Sequence, residues 1–195
     1  MFMICLKIFI TKKFTSILEK QVAKLLRETD TVLECACGTG EISRYIAEQC
    51  RQLTATDFSE GMLRQAKKKL KAKQNITFAQ VDITELPYAD HSFDAVVAGN
   101  VLHLLRDPEK AMRELLRVCR VGGKVILPTY INDSGHSSRI AVKLLEKLGA
   151  DFKRQFDAQS YRLFFDQMGV RNVEYVIVPG RMPCDIAVVT NEEQL

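Results

Sequence analysis

Carboxylates end a series of short apolar runs in this chain, and small residues follow the first of them. Val32-Leu33-Glu34 leads into Cys35-Ala36-Cys37-Gly38-Thr39-Gly40-Glu41-Ile42, which reads as a buried strand ending in an acid, then a turn into a helix. Without bulk at 36, 38 and 40 the backbone can pass close to a ligand, and Gly38 and Gly40 can take positive φ at little cost. The helix beyond presents free N–H groups to that ligand. Leu53-Thr54-Ala55-Thr56-Asp57 ends a second run in a carboxylate twenty-one positions after Ala36, near the spacing at which an acid reaches a ribose in nucleotide-binding βαβ units. Phe78-Ala79-Gln80-Val81-Asp82 ends in a third acid. Taken singly, a glycine turn or a strand-end acid is as readily a structural turn or cap. The three together describe a nucleotide-cofactor site.

Charge then chooses among cofactors. The G-x-G-x-x-G fingerprint of dinucleotide sites is answered here by Ala36, Gly38 and Glu41, so a carboxylate stands where the last small residue belongs. Glu34 adds a second one before the loop. Both repel a diphosphate and favour a ligand that carries an ammonium and a sulfonium, which is S-adenosylmethionine.

With these residues in place the chain resembles the class I S-adenosylmethionine-dependent methyltransferases, in the small-molecule-type, methyltransferase domain 11-like branch, whose loop pattern is acid-x-small-x-Gly-x-Gly. Thr56-Asp57-Phe58-Ser59-Glu60-Gly61-Met62-Leu63 is similar to the family's second motif and Val81-Asp82-Ile83 to its third. Ser92-Phe93-Asp94-Ala95-Val96-Val97 followed by Asn100-Val101-Leu102-His103 looks like its fourth. Leu116 to Leu127, with the Gly122-Gly123 turn, resembles the helix, turn and fifth strand that follow. In order and spacing the resemblance covers residues 30 to 131.

The resemblance implies roles for matching positions. Glu34 and the Ala36 to Gly40 backbone would hold the ammonium and carboxylate of the methionine moiety, and Asp57 would accept both ribose hydroxyls. Phe58 and Met62 would line the adenine pocket, where plain core packing is the competing reading. Asp82 would accept from the adenine amino group and the Ile83 amide would donate to a ring nitrogen. The Asn100 backbone carbonyl would face the methionine end. Two departures stand out. The family's first loop glycine is Ala36 here, tolerated at a negative φ and then expected to weaken or shift binding rather than abolish it. The aromatic-rich amino-terminal segment that folds over the acceptor in relatives has no counterpart beyond Phe2, Phe9 and Phe14.

A sulfonium methyl is already activated, so the reaction is an in-line displacement in which positioning and desolvation supply most of the rate. A general base is needed only for a protonated acceptor of high pKa. His103 is the first candidate, with His136 and Tyr130 next; a histidine in Asn100-Val101-Leu102-His103-Leu104-Leu105 can equally pack or orient a helix. Ala98-Gly99-Asn100-Val101-Leu102 lacks the Pro-Pro-aromatic turn of nucleic-acid amino methylation and the Pro-Cys nucleophile of cytosine chemistry; Pro183-Cys184 comes too late in the chain. Nor does it carry a glutamate pair for an arginine or an acidic cluster for magnesium. A small-molecule acceptor remains, methylated on oxygen, nitrogen, sulfur or carbon. Pro128 to His136, with Phe152, Phe156, Tyr161 and Phe164, would wall its pocket, or simply pack the covering helices. Two other functions stay open: a partner or regulatory subunit that binds S-adenosylmethionine, or its product S-adenosylhomocysteine, without turnover, and an RNA methyltransferase resting on the basic charge.

The elements that must position these residues read as helix (15–27), strand (31–35), helix (40–49), strand (52–56), helix (59–72), strand (76–80), strand (93–98), helix (108–119) and strand (123–129). Such alternation predicts an α/β fold with a parallel sheet and helices on both faces, its carboxyl edge carrying the ligand. Helices over 137–149 and 158–168 follow, then two β-rich runs, 172–178 and 185–190, split by Pro179 to Pro183 as a closing antiparallel pair. The resemblance makes this a Rossmann-like, doubly wound sheet of seven strands with one reversed. The expected division is a single domain, 1–195, comprising an amino-terminal helical segment (1–29), a cofactor-binding core (30–131), a helical substrate-covering region (132–170) and carboxyl-terminal strands (171–195).

Composition fits one α/β unit: 195 residues, 47% hydrophobic and 27% charged. A net charge of +4 is mild, and Lys67-Lys68-Lys69-Leu70-Lys71-Ala72-Lys73 reads as a solvated helix end that complements the dipole, which argues against nucleic acid as a partner. The six cysteines have no C-x-x-C pair and no nearby histidine, so reduced thiols in a cytoplasm, and no metal, are expected; Cys35 and Cys37 could make the site oxidation-sensitive. Met1 to Ile10 is apolar, interrupted by Lys7 and too short to span a bilayer. It reads as a segment packed on the domain, with membrane-surface contact as the alternative.

Overall fold

The central strands are near-continuous apolar runs, and because successive side chains point to opposite faces they supply a core layer on each side of the sheet. The computed structural model describes residues 12–131, 156–179 and 183–192. The expected helix over 137–149, His136, Phe152, and the amino-terminal segment with Phe2 and Phe9 lie outside them.

In chain order the elements are α1 (Lys12–Lys24), β1 (Thr31–Cys35), α2 (Ser43–Gln49), β2 (Gln52–Asp57), α3 (Glu60–Lys69), β3 (Ile76–Gln80) and β4 (Phe93–Ala98). A one-turn 3-10 helix (Leu102–Leu104), α4 (Pro108–Val118), β5 (Cys119–Tyr130), α5 (Ala158–Gln167), β6 (Val173–Val178) and β7 (Cys184–Thr190) follow. The seven strands form one sheet in the order β3-β2-β1-β4-β5-β7-β6. All pairs from β3 to β5 are parallel, and β7 runs antiparallel to both β5 and β6, so it is the single reversed strand.

One layer holds Leu33, Val96, Val125, Leu127, Ala187 and Val189 against α4 and α5. The other holds Val32, Leu53, Ala55, Val97, Ile126 and Val188 against α1, α2 and α3. Helices therefore cover both faces, as in doubly wound sheets.

Several boundaries differ from expectation for identifiable reasons. The helix expected from 40 begins at Ser43, because Gly40 donates to the Cys37 carbonyl and turns fill the interval. Cys119, expected as the last residue of a helix, opens β5 instead. The buried Asn191 side chain donates to the carbonyls of Leu116, Cys119 and Arg120, and the Gly122 amide donates to the Asn191 carbonyl, which pins this junction to the end of β7. The lysines at the end of α3 are exposed as expected, and two cations there close ion pairs, Lys69 to Glu41 and Lys73 to Glu48.

Candidate functional site

The loop after β1 is held by the strand beside it. The Cys37 amide donates to the Thr56 carbonyl (2.8 Å), and the Gly38 amide donates to Asp57 Oδ2 (2.8 Å). Ala36, Gly38 and Gly40 all take positive φ, at 56°, 56° and 76°. The negative φ at which an alanine would be tolerated is thus not adopted: the turn demands the left-handed region at Ala36, where a Cβ costs about 1–2 kcal/mol. Gly40 is required on packing grounds too, since a Cβ would lie 2.8 Å from Leu70 Cδ1. Gly99 plays the matching part across the site, a Cβ there meeting Ile42 Cδ1 at 2.7 Å.

Glu34 points into the layer beneath this loop and is 2% exposed. Its Oε2, and the Oγ of the neighbouring Ser43, find no hydrogen-bond partner among the described residues. Burial pushes the Glu34 carboxyl up to about 8, with the Ser43 hydroxyl opposing by proximity and Asp57 and Glu19 adding to the rise. Glu19, 3% exposed on α1, and Ser43 are site neighbours that sequence reasoning missed. Their only signal was a polar residue on the apolar face of a helix.

Asp57 ends β2 with both oxygens oriented by amides, Oδ2 by Gly38 and Oδ1 by Ser59, each at 2.8 Å. Each oxygen thus accepts one bond among the described residues and has the capacity for a second. Next to it, Phe58 is 73% exposed and Met62 half-buried, so neither is the core residue that plain packing would require. Asp82 lies two residues past β3, exposed, with Oδ1 accepting from the amide and the hydroxyl of Thr84. These bonds hold its carboxyl below the usual carboxylate range and do not involve Oδ2. Ile83 is buried beside it. Glu34 near the end of β1, Asp57 at the end of β2 and Asp82 just past β3 thus lie along one edge, the first beneath it and the other two upon it.

Beyond β4, Asn100 takes φ 54°, its amide donates to the Pro128 carbonyl (2.8 Å), and its Oδ1 accepts from the Tyr130 amide (3.0 Å). It therefore joins the ends of β4 and β5. His103 lies in the 3-10 helix, half-buried, and burial lowers its pKa to about 4, so the ring is neutral at physiological pH. Burial raises the Tyr130 hydroxyl, which removes it as a base near neutrality.

Three sequence-based arguments change. Glu41 is paired with Lys69 Nζ at 2.6 Å, so its charge does not stand alone at the loop and contributes little against a diphosphate. The helix after the loop begins three residues late and has only seven residues, which withdraws its amides from the site. Burial pushes the Cys35 thiol up to about 12 and raises Cys37 as well, so both are inert packing residues rather than oxidation-sensitive thiols. The described cysteines 35, 37, 50, 119 and 184 are free, and among the described residues no group of three or more His, Cys, Asp or Glu could hold a metal ion. No described helix is long and apolar enough to cross a membrane.

Comparison with known proteins adds to this geometry. Residues 33–127 match the model of the methyltransferase domain family. The chain is 38% identical over 98 residues to the demethylmenaquinone methyltransferase of Clavibacter sepedonicus, covering 50% of this chain and 40% of that protein. It is 42% identical over 101 residues to the ubiquinone/menaquinone biosynthesis C-methyltransferase UbiE of Bdellovibrio bacteriovorus, covering 50% and 43%. The chain spans about two fifths of the length of these curated relatives. Among solved structures, an S-adenosylmethionine-dependent methyltransferase from Aquifex aeolicus has the same fold at a TM-score of 0.74, with 20% identity over 97% of this chain and 98% of that one. The cyclase SpnF matches at 0.74 and 19% identity, over 91% and 82%. The matched segment, residues 33–127, carries the loop, the three acids and five strands of a sheet ordered as described above, and over that segment the chain is similar to the methyltransferase domain family.

Proposed function

We propose that this chain binds S-adenosylmethionine along the carboxyl edge of β3, β2, β1 and β4 and transfers its methyl group to a small-molecule acceptor. The observation that carries the reading is the buried Glu34 carboxyl with an unsatisfied oxygen, beneath a loop locked onto Asp57. A buried carboxyl oxygen without a partner is costly unless a ligand completes it, and an ammonium does so. When bound, the cofactor supplies a methyl already activated for in-line displacement.

The chain's own residues bind and orient. Glu34 and the loop amides hold the amino-acid end, Asp57 uses its open lone pairs for the ribose hydroxyls, and Asp82 offers Oδ2 to the adenine amino group beside the Ile83 amide. Phe58 and Met62 close on the adenine, and the Asn100 carbonyl faces the methionine end. His103, neutral, takes a proton from an acceptor whose own pKa is low enough for so weak a base. The names of the relatives favour a quinone-type ring as the acceptor class. The unbridged cysteines fit a reducing cytoplasm, and oxygen, nitrogen, sulfur or carbon methylation is decided by acceptor assays. Calorimetric titration with S-adenosylhomocysteine tests the cofactor site without any acceptor: micromolar binding lost in Asp57→Ala supports it, and no binding to the wild type removes it. Release of S-adenosylhomocysteine with a pool of hydroxylated rings separates turnover from mere binding.

A further inference from the structure

Asp185 is fully buried on β7, and its Oδ1 has no hydrogen-bond partner among the described residues. Among the described residues its other oxygen meets only Arg162 Nη2 at 3.4 Å, the long end of hydrogen-bond range, while that guanidinium also lies over the Tyr175 ring at 4.7 Å. A structural ion pair would satisfy the buried carboxyl better than this.

Register places this orphan oxygen near the reacting end of the site. Thr129 on β5 is paired with Asp185, which is paired in turn with Ile177 on β6. Asn100 stands level with Thr129, because its amide reaches Pro128 and its side chain reaches Tyr130. Asn100, Thr129 and Asp185 therefore form one rank across β4, β5 and β7. At a strand spacing of about 4.8 Å, Asp185 lies roughly 10 Å from Asn100, about the length of a two-ring aromatic. The Tyr161 hydroxyl is committed to the Leu127 carbonyl at 2.6 Å, so it does not satisfy Asp185. Beyond lies Ile177, 60% exposed, with Tyr175 two residues earlier on the same strand face.

We propose that Asp185 is an acceptor-binding residue, its Oδ1 accepting a hydrogen bond from a hydroxyl on a flat aromatic acceptor that lies along the sheet edge between Asn100 and β7. The donor is neutral because Arg162 already sets a positive charge against this carboxyl. Ile177 and Tyr175, on β6 beyond Asp185, make the far end of this rank apolar. Burial raises the Asp185 carboxyl while Arg162 opposes, in keeping with a group that gains from a further hydrogen-bond donor. This inference rests on the cofactor reading above, which puts the methyl group near Asn100.

The test uses the whole chain saturated with S-adenosylhomocysteine and titrated anaerobically with naphthohydroquinone or with its dimethyl ether, which keeps the rings and lacks the donors. The wild type is expected to bind the hydroquinone at least about tenfold more tightly than the ether. In Asp185→Leu that preference disappears, and in Asp185→Asn, which retains a neutral acceptor, it falls without vanishing; both variants hold S-adenosylhomocysteine as the wild type does. A merely structural Asp185 would alter stability and leave the preference intact. An unchanged preference in either variant, equal affinities in the wild type, or no binding of either ring overturns the proposal. Failure of the wild type to bind S-adenosylhomocysteine is a separate result, seen before any ring is added, and removes the cofactor reading and this proposal together.

Discussion

The Gly38 amide lies 2.8 Å from Asp57 Oδ2, so a residue nineteen positions away shapes the loop of the proposed cofactor site. Asp57 is a clamp on the loop as well as the proposed ribose ligand. Asp57→Ala should lower S-adenosylhomocysteine affinity at least about 100-fold, since it removes charged acceptors and loosens the loop. Asp57→Asn should not rescue it, because its amide nitrogen must face either the Gly38 or the Ser59 N–H. Calorimetry on both variants, with circular dichroism to establish folding, checks this; retained affinity in Asp57→Ala would dismiss the ribose role.

Ala36 sits in a conformation that glycine adopts without strain. Ala36→Gly is expected to stabilise the protein by about 1 kcal/mol, the relief of the left-handed Cβ less the extra entropy of an unfolded glycine. In a chain of this size that is about 2–4 °C in thermal midpoint. Binding of S-adenosylhomocysteine should hold or improve. A lower midpoint would show that the Ala36 methyl packs more favourably than its backbone is strained.

Glu34 links stability to pH with a sign opposite to most carboxylates. Its folded pKa is raised from 4.5 to about 8, so between those values the native state holds a proton the unfolded state has released. Stability from this group is therefore greatest below the unfolded pKa and falls as pH rises through about 8. Glu34→Gln should flatten that part of the midpoint-against-pH curve, raise the midpoint at neutral pH and weaken S-adenosylhomocysteine binding. Parallel curves for variant and wild type would contradict it.

Arg117 ties the segment after Asp82 to α4. Its guanidinium donates to the Leu86 and Tyr88 carbonyls and to Asp90 and Glu114, while Glu114 accepts from the Leu86 amide. Arg117→Ala should destabilise by about 2 kcal/mol, with the partly exposed ion pairs counted as minor. Lysine cannot reproduce the fork, so Arg117→Lys should recover less than half of this. Urea denaturation decides, and a loss under about 0.5 kcal/mol in Arg117→Ala would refute the clamp.

His103→Ala should reduce turnover about 100-fold with S-adenosylhomocysteine affinity unchanged, if the ring removes the acceptor's proton. Because burial lowers its pKa to about 4, His103 contributes no inflection to the turnover profile near neutrality. Equal turnover in variant and wild type assigns it to packing the 3-10 helix.

Periodicity and turn residues were enough to read the described strands to within about four residues, and the closing antiparallel pair was legible from two β-rich runs with a short break between them, while the single reversed strand of a seven-stranded sheet came from the family resemblance. The junction at Cys119 was not, because nothing local ends α4 there; Asn191, more than seventy residues later, supplies the hydrogen bonds. Glu19 and Asp185 were equally hidden, since a buried polar residue looks like any polar residue until its neighbours are known.

By itself the sequence determined the α/β fold, the strand-end acids and the glycine loop, since these depend on alternation, spacing and local backbone freedom. Only the tertiary structure decided that Ala36 is left-handed, that Lys69 quiets Glu41, that Glu34 is buried with an unsatisfied oxygen and that Asp185 stands in rank with Asn100. Charge, burial and register are properties of neighbours brought together from distant parts of the chain, and packing alone sets them.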